Sequence, residues 1–358
     1  MFLIPYPLHE SPSQRFRFEQ YLSILERKEY SLTIQSFLDN SNWKVFYSKG
    51  YEFAKLRALI SGFAKRIIAT AKSPMYDFVF IHREVTPVGP PLFEWILVRI
   101  LRKKVIYDFD DAIWVTDNRK ESLFLKASKW RSKVSSICRW AHKVSCGNEY
   151  LLRYARIFNR KVILNPTTID TKNLHNPNLY TRSDKGGGDK IRIGWTGSHS
   201  TLKYFEEIVS ILKRISQDFP STEIIIIADK KPIVNDLDNM KFVKWSINSE
   251  IIDLLQFDIG IMPLPDDEWA KGKCGFKALQ YMALEIPAVV SPVGVNPMIV
   301  EHGINGFLCA TAEEWYEALA NLIRNPDLRK RMGSAGRKKV IDNYSVLSNG
   351  ETFLSLFE

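Results

Sequence analysis

The sequence predicts an α/β protein built from two doubly wound, Rossmann-like halves, and three observations predict it. Short β-type apolar runs alternate with longer stretches of helical spacing along nearly the whole chain, the pattern of β-α-β units around a parallel sheet. The alternation breaks at Asp184-Lys185-Gly186-Gly187-Gly188-Asp189 and then restarts; a polar, Gly-rich stretch can pack nothing and reads as a linker. The length of 358 residues suits two domains of ~100–200 residues. The expected boundary therefore lies between an N-terminal domain, 1–183, and a C-terminal domain, 184–358.

In the first half the candidate strands are 2–4, 78–81, 105–108 and 143–145. Between them 16–25, 53–71, 92–101 and 123–141 carry apolar residues at helical spacing. After the break, 191–195 opens a new strand, and Ser200 or Thr201 is placed to cap a helix whose apolar face is Leu202, Phe205, Ile208, Val209 and Leu212. Segments 223–228 and 257–262 read as central strands, 251–255 and 276–283 as short helices, and 288–291 as a further strand. From Pro326 to Phe357 the pattern is helical, broken near Asn343 and Asn349, and the last helix is free to pack back on the first domain.

Composition narrows the function. With 45% hydrophobic and 25% charged residues the chain reads as globular, and no segment approaches the ~18 uninterrupted apolar residues of a membrane span. Met1-Phe2-Leu3-Ile4-Pro5-Tyr6-Pro7 has neither a basic region nor a cleavage site, so a cytoplasmic location is expected. Cys138, Cys146, Cys274 and Cys309 form no C-x-x-C pair, so neither zinc nor disulfides are suggested. A formal charge of +10 implies an anionic partner: nucleic acid, lipid headgroups or phosphorylated small molecules. No nucleic-acid-binding signature accompanies it. Small basic clusters, Lys65-Arg66 and Arg99 with Arg102-Lys103-Lys104, lie beside apolar helical patterns and leave peripheral contact with an anionic membrane open.

Two junctions could carry chemistry. Gly194-Trp195-Thr196-Gly197-Ser198-His199-Ser200-Thr201-Leu202-Lys203 is a strand-turn-helix in which Gly197 and Ser198 let a phosphate approach a helix start, with Lys203 in the first turn. Spacing alone equally allows ordinary turn chemistry. In Gly272-Lys273-Cys274-Gly275-Phe276-Lys277-Ala278-Leu279-Gln280 a polar loop enters a helix, so that Lys273, Lys277 and Gln280 can converge at one end of the sheet; a solvated helix face is the alternative. His82 ends a strand and suits contact with a sugar or an acceptor proton. Asp108, Asp110 and Asp111 invite either metal binding or capping and pairing with basic groups. Arg15 and Arg17 follow the first strand's loop and are expected to open a helix, where anions are met. Trp95, Trp114, Trp130 and Trp140 suit stacking near basic residues or simple core packing.

Several of these stretches resemble glycosyltransferase family 4. Phe257-Asp258-Ile259-Gly260-Ile261-Met262-Pro263-Leu264, Lys277-Ala278-Leu279-Gln280-Tyr281-Met282-Ala283, Pro287-Ala288-Val289-Val290-Ser291 and Asn305-Gly306-Phe307-Leu308 are similar to its C-domain core. Ser13-Gln14-Arg15-Phe16-Arg17, Ile81-His82-Arg83-Glu84, Gly89-Pro90-Pro91, Tyr107 to Trp114 and Asn165-Pro166-Thr167-Thr168-Ile169-Asp170 extend the likeness to a bacterial surface-polysaccharide branch.

The resemblance implies a GT-B fold, two Rossmann-like domains facing each other across a cleft, with acceptor binding assigned to the first and nucleotide-sugar binding to the second. It implies a metal-independent, retaining transferase of hexosyl or related sugars, needing no cofactor beyond its nucleotide-sugar substrate and acting on a glycan or lipid-linked acceptor. Lys203 and Lys277, or Lys273, would neutralise the leaving diphosphate, and His82 would serve the acceptor side. Gly197, Ser198, Lys273, Cys274, Gly275, Phe276, Gln280 and Arg15 would line the donor site. Two positions depart from the family: Gly272 and Gln280 stand where it has glutamates. Gln280 can still bond ribose hydroxyls, whereas Gly272 cannot, which passes the sugar contact to Asp266, Asp267, Glu268 or amides near Cys274. The departures also keep two other readings open, a binding protein that lost turnover and a GT-B sugar epimerase.

Overall fold

The structure is a computed structural model and describes residues 1–46, 48, 50–116, 130–181, 190–234 and 237–358. The Gly-rich stretch expected as a linker, and the beginning of the helix expected over 123–141, lie outside the described residues. Two compact units are present: Met1–Thr167 with Gly272–Cys274 and Asn349–Glu358, and Thr168–Lys271 with Gly275–Ser348. Residues 168–181, expected in the first half, pack with the second unit, and the C-terminal turns pack with the first.

The first unit holds strands β1 (Phe2–Ile4), β2 (Ile34–Ser36), β3 (Phe78–His82), β4 (Lys104–Phe109), β5 (Lys143–Cys146) and β6 (Val162–Leu164). All pair in parallel, in the order β2-β1-β3-β4-β5-β6. Parallel sheets bury both faces, and the central strands are accordingly mostly apolar, with polar residues gathered toward their ends. Leu3, Val79, Ile81, Val105 and Tyr107 meet Phe93, Leu97, Val134, Ile137, Leu151 and Leu152 in one core layer. On the other face Phe2 and Phe80 meet Phe18 and the C-terminal Phe353 and Phe357.

The second unit holds β7 (Ile191–Gly197), β8 (Thr222–Ala228), β9 (Met240–Lys244), β10 (Ile259–Met262), β11 (Ala288–Val290) and β12 (Gly306–Leu308), again parallel, in the order β12-β11-β10-β7-β8-β9. Ile193, Ile224, Ile226, Ile259 and Ile261 form its core with Phe205, Leu212, Leu319 and Leu322 from the flanking helices. Each sheet reverses its winding beside its first strand, between β1 and β3 and between β7 and β10. Such switch points open a crevice at the carboxyl ends of the strands, where ligands of open α/β sheets bind.

All eight expected strands are present with ends shifted by at most two residues, whereas β2, β6, β9 and β12 had not been expected. These four are the edges of the two sheets. An edge strand is half exposed, so β9 is interrupted by Lys241 and Lys244 and β2 is nowhere fully buried, which removes the apolar run that marks a central strand. Two helical expectations are corrected. The span 16–25 breaks into short turns at Pro12–Arg15, Glu19–Tyr21 and Leu22–Arg27, so Arg15 closes a turn instead of opening a helix. Thr201 stands at the N-cap position of Leu202–Glu206 as expected, but its hydroxyl closes a reciprocal box with Ser198 around the preceding turn instead of capping that helix.

Candidate functional site

Register builds the site of the first unit. His82, Asp108 and Ser145 are opposed partners on β3, β4 and β5, so their side chains stand in a row at the carboxyl edge of the sheet. His82 Nδ1 lies 2.8 Å from Asp108 Oδ2, and Ser145 Oγ donates to Asp108 Oδ1 at 2.6 Å. Arg17, buried, donates to Asp108, to Ser145 Oγ and to the Asn165 carbonyl. On the outer side Ser13 Oγ lies 2.7 Å from His82 Nε2 and 3.0 Å from Asp110 Oδ1. The row therefore reads Ser13–His82–Asp108, with only Ser13 half exposed. His82 itself reaches no solvent.

Charges here are matched in the interior. Burial opposes ionisation of Asp108, but Arg17 and His82 outweigh it and hold its carboxyl well below the usual range. Burial likewise works against Asp110, and Arg83 outweighs it. Arg83, held at φ 60° just past β3, pairs with both Asp110 and Asp111, and Lys273 Nζ donates to Asp111 at 2.9 Å. Oxygens of the three aspartates that invited a metal reading are thus engaged by arginine, lysine, histidine and hydroxyl partners.

Segment Gly272–Cys274 is held in this unit by Asn148 Nδ2, which donates to the Gly272 and Lys273 carbonyls at 3.1 and 3.0 Å, and by the Cys274 thiol on the Asp110 carbonyl at 3.1 Å. Burial pushes that thiol far above its ordinary range. At Gly272 a Cβ would fall 2.6 Å from Ala112 Cβ and 2.7 Å from its backbone nitrogen. The position is therefore filled by backbone, which explains why no glutamate stands there.

In the second unit β7 ends at Gly197, opposite Ala228 of β8, which brings the next residues of both loops together: the His199 backbone N–H and Nδ1 both bond the Asp229 carboxylate, at 2.5 and 2.6 Å. Gly197 is required because a Cβ there would press on the Trp195 ring and lie 2.7 Å from Thr201 Oγ1. Lys203, exposed, rests over Tyr204, and Lys277 lies 5.5 Å from the Trp195 ring centre. Gly275 starts the helix Phe276–Ala283 at φ 68°, a left-handed geometry suited to glycine. From β10, across the switch point, comes the loop with Asp266, Asp267 and Glu268; Asp266 pairs with Lys271 at 3.0 Å, and Asp267 caps its helix through the Ala270 N–H. Burial and the Asp267 charge raise the pKa of Glu207 beside Lys203.

Gly197, Ser198, Lys203, Gly275, Phe276, Lys277 and Gln280 thus belong to the second unit, while Arg15, His82, Lys273 and Cys274 belong to the first. Gln280 faces inward: it is 1% exposed, and its amide donates toward His175 Nε2 at 3.2 Å and Glu250 Oε1 at 3.5 Å. Arg15 packs over Phe16. Sequence reasoning missed Ser13 as the outer member of the His82 row, and Glu250 and His175 as neighbours of Gln280. Only Ser13 left a signal, its place in the motif with Arg15 and Arg17.

Residues 190–325 match the family model described as Glycosyl transferases group 1. The likeness to group 1 glycosyl transferases is therefore carried mainly by the second unit. Among curated proteins it is similar to Spore coat protein SA of Bacillus subtilis (strain 168), 24% identical over 197 residues. That match covers 49% of this chain and 51% of the relative, so the chain spans about half the length of the relative it matches. Its fold is similar to a glycosyltransferase from Rickettsia africae ESF-5, with TM-score 0.70 and 14% identity over 99% of this chain and 97% of that one. It is also similar to Anabaena HepE solved with UDP and glucose, with TM-score 0.63 and 16% identity over 93% and 87% of the two chains. With these neighbours, the two six-stranded parallel sheets identify the GT-B class. The matched stretch, 190–325, contains β7 through β12 and both candidate lysines of the second unit. Among the described residues no helix is long and apolar enough to cross a membrane.

Proposed function

We propose that the chain is a glycosyltransferase that moves a sugar from a nucleotide-diphosphate donor to a glycan or lipid-linked acceptor, with retention and without a metal ion, at the inner face of a cytoplasmic membrane. One observation carries the reading: within the matched stretch, the switch point at β7 brings a glycine-lined strand end, a capped helix start and Lys203 to one crevice edge, with Lys277 beside Trp195. When the bond from the anomeric carbon to the donor phosphate breaks, the electron pair leaves with the diphosphate. Two ammonium groups and the amides of a helix start stabilise that charge as it forms. The acceptor oxygen bonds the anomeric carbon, and its proton passes to the departing phosphate oxygen. In the first unit Ser13 is placed to meet an acceptor hydroxyl, with His82 and Asp108 holding it. A bound UDP–glucose in HepE supports a nucleotide sugar as the donor class.

The test pairs binding with turnover. Thermal shifts against UDP, GDP, ADP and CMP and their sugars identify the donor, since a ligand of the native state raises its stability by about 2.7 kcal/mol at 100 times its Kd. Lys203→Ala and Lys277→Ala are expected to lower turnover about 10²–10³-fold each with the fold intact, and EDTA to leave it unchanged. Ser13→Ala is expected to reduce transfer while sparing donor binding. A donor that stabilises the protein but is never cleaved, with or without acceptor, would overturn the enzyme reading in favour of a binding protein.

A further inference from the structure

The long helix Glu52–Lys72 of the first unit is amphipathic in the wrong sense for a surface helix. Its fully buried positions are small or polar, Ala58, Gly62, Arg66, Ala69 and Thr70, with Leu59 and Phe63 half-buried beside them and Arg66 donating to the carbonyls of Val85, Gln35 and Ile4. Its outer side carries Phe53, Leu56, Ile60, Ile67 and Ile68, all exposed, Phe53 at 91%. At 100° per residue Phe53, Leu56, Ile60 and Ile67 fall within about 60° of one another, so they form one row along roughly 21 Å of helix. A surface helix ordinarily places charged residues on that face.

The neighbouring helical segment continues the row. Leu92–Trp95 and Ile96–Ile100 follow β3 on the same face of the sheet, packed beside the long helix through Phe63 and Phe93 at 6.2 Å between ring centres, and expose Leu92, Trp95 and Ile100. Exposed cations border both segments: Arg57 and Lys72 on the first, Arg99, Arg102 and Lys104 on the second. The exposed acids nearest in sequence are Glu52, which pairs with Lys55 at 3.2 Å, and Asp77.

We infer that this face seats the protein on an anionic lipid bilayer. A row of aliphatic and phenyl groups, with Trp95 and Tyr51 exposed at its borders and cations beside it, matches the boundary between acyl chains and headgroups, where apolar groups bury, indole and phenol rings sit at headgroup level, and Lys and Arg meet lipid phosphates. The cationic border fits an anionic surface better than a second copy of this same basic face, which would oppose like charges. The inference rests on the membrane-side location proposed above and names its surface. It is read by binding without turnover, so either can fail alone.

The experiment is co-sedimentation of the full chain with vesicles of phosphatidylcholine alone or with an added anionic lipid, phosphatidylglycerol. Binding is expected to the anionic vesicles, to weaken in high salt, and to fall about tenfold or more in Phe53→Ser/Ile60→Ser/Ile67→Ser. Arg57→Glu/Arg99→Glu is expected to abolish the preference for anionic lipid. Unchanged thermal stability and nucleotide-induced stabilisation confirm that the variants fold, because every altered side chain is exposed. The inference is overturned if the triple variant sediments like the parent, if neutral vesicles bind equally well, or if the substitutions instead turn a dimer into a monomer that never bound vesicles.

Discussion

At the level of single residues, Gly272 stands where the family this chain resembles carries a glutamate, and the structure shows what occupies that space. The backbone of Ala112 occupies the space a side chain would need, and the Gly272 carbonyl is tied to Asn148. Restoring a glutamate therefore forces the segment off its seat. Gly272→Glu is expected to lower the melting temperature by about 4–8 °C, from overpacking of about 2 kcal/mol, without raising turnover; a variant that melts normally and works faster would refute this. Gln280 shows the same logic from the other direction. Its type was legible as a polar group on a helix near the site, but its engagement with Glu250 and His175 depends on residues 30 and 105 positions away, which no spacing rule reports.

Elements are stitched to one another by the buried arginine. Arg17 joins the turn after β1 to β4 through Asp108, to β5 through Ser145 and to the loop after β6 through Asn165. Because both partners are buried, the net value of the pair is modest while the cost of breaking it is large: Asp108→Asn leaves a cation unmatched and is expected to cost about 3–5 kcal/mol, measured by urea unfolding. Replacing both, as Arg17→Met with Asp108→Leu, is expected to recover most of that loss; a double variant as unstable as the single one would show that geometry, not charge, is at stake. Arg17 was read from sequence as an anion-binding group at a helix start. The anion it binds proved to be internal, since the chain turns before a helix can form.

For the whole molecule, the balance of internal carboxylates sets the response to acid. Asp108 and Asp110 are held below their ordinary values by Arg17 and Arg83 against the opposing effect of burial. The stability they contribute is complete above the ordinary carboxylate range of about 4 and is lost as pH falls through their depressed values. Glu94, raised by burial, and Glu19, also raised by burial, act with the opposite sign: they favour folding more as pH falls toward the ordinary value and less as it rises through their raised ones. Thermal denaturation followed from pH 8 to 3 is expected to rise shallowly toward mild acidity and then fall steeply below about pH 4. A profile flat to pH 3 would contradict the ion-pair account.

The sequence by itself determined the fold class, the eight central strands, the long helices and the two junctions of the second unit, because buried parallel strands and amphipathic helices write their periodicity locally. It also determined that position 272 lacks a carboxylate. Tertiary structure alone decided the edge strands, whose half-exposed pattern carries no apolar run, and the union of Ser13, His82, Asp108 and Arg17, which depends on register across three strands. It also decided the allegiance of Gly272–Cys274 to the first unit: hydrogen bonds to Asn148 and Asp110 hold that segment, and such partners are chosen by proximity in space, which sequence distance does not encode.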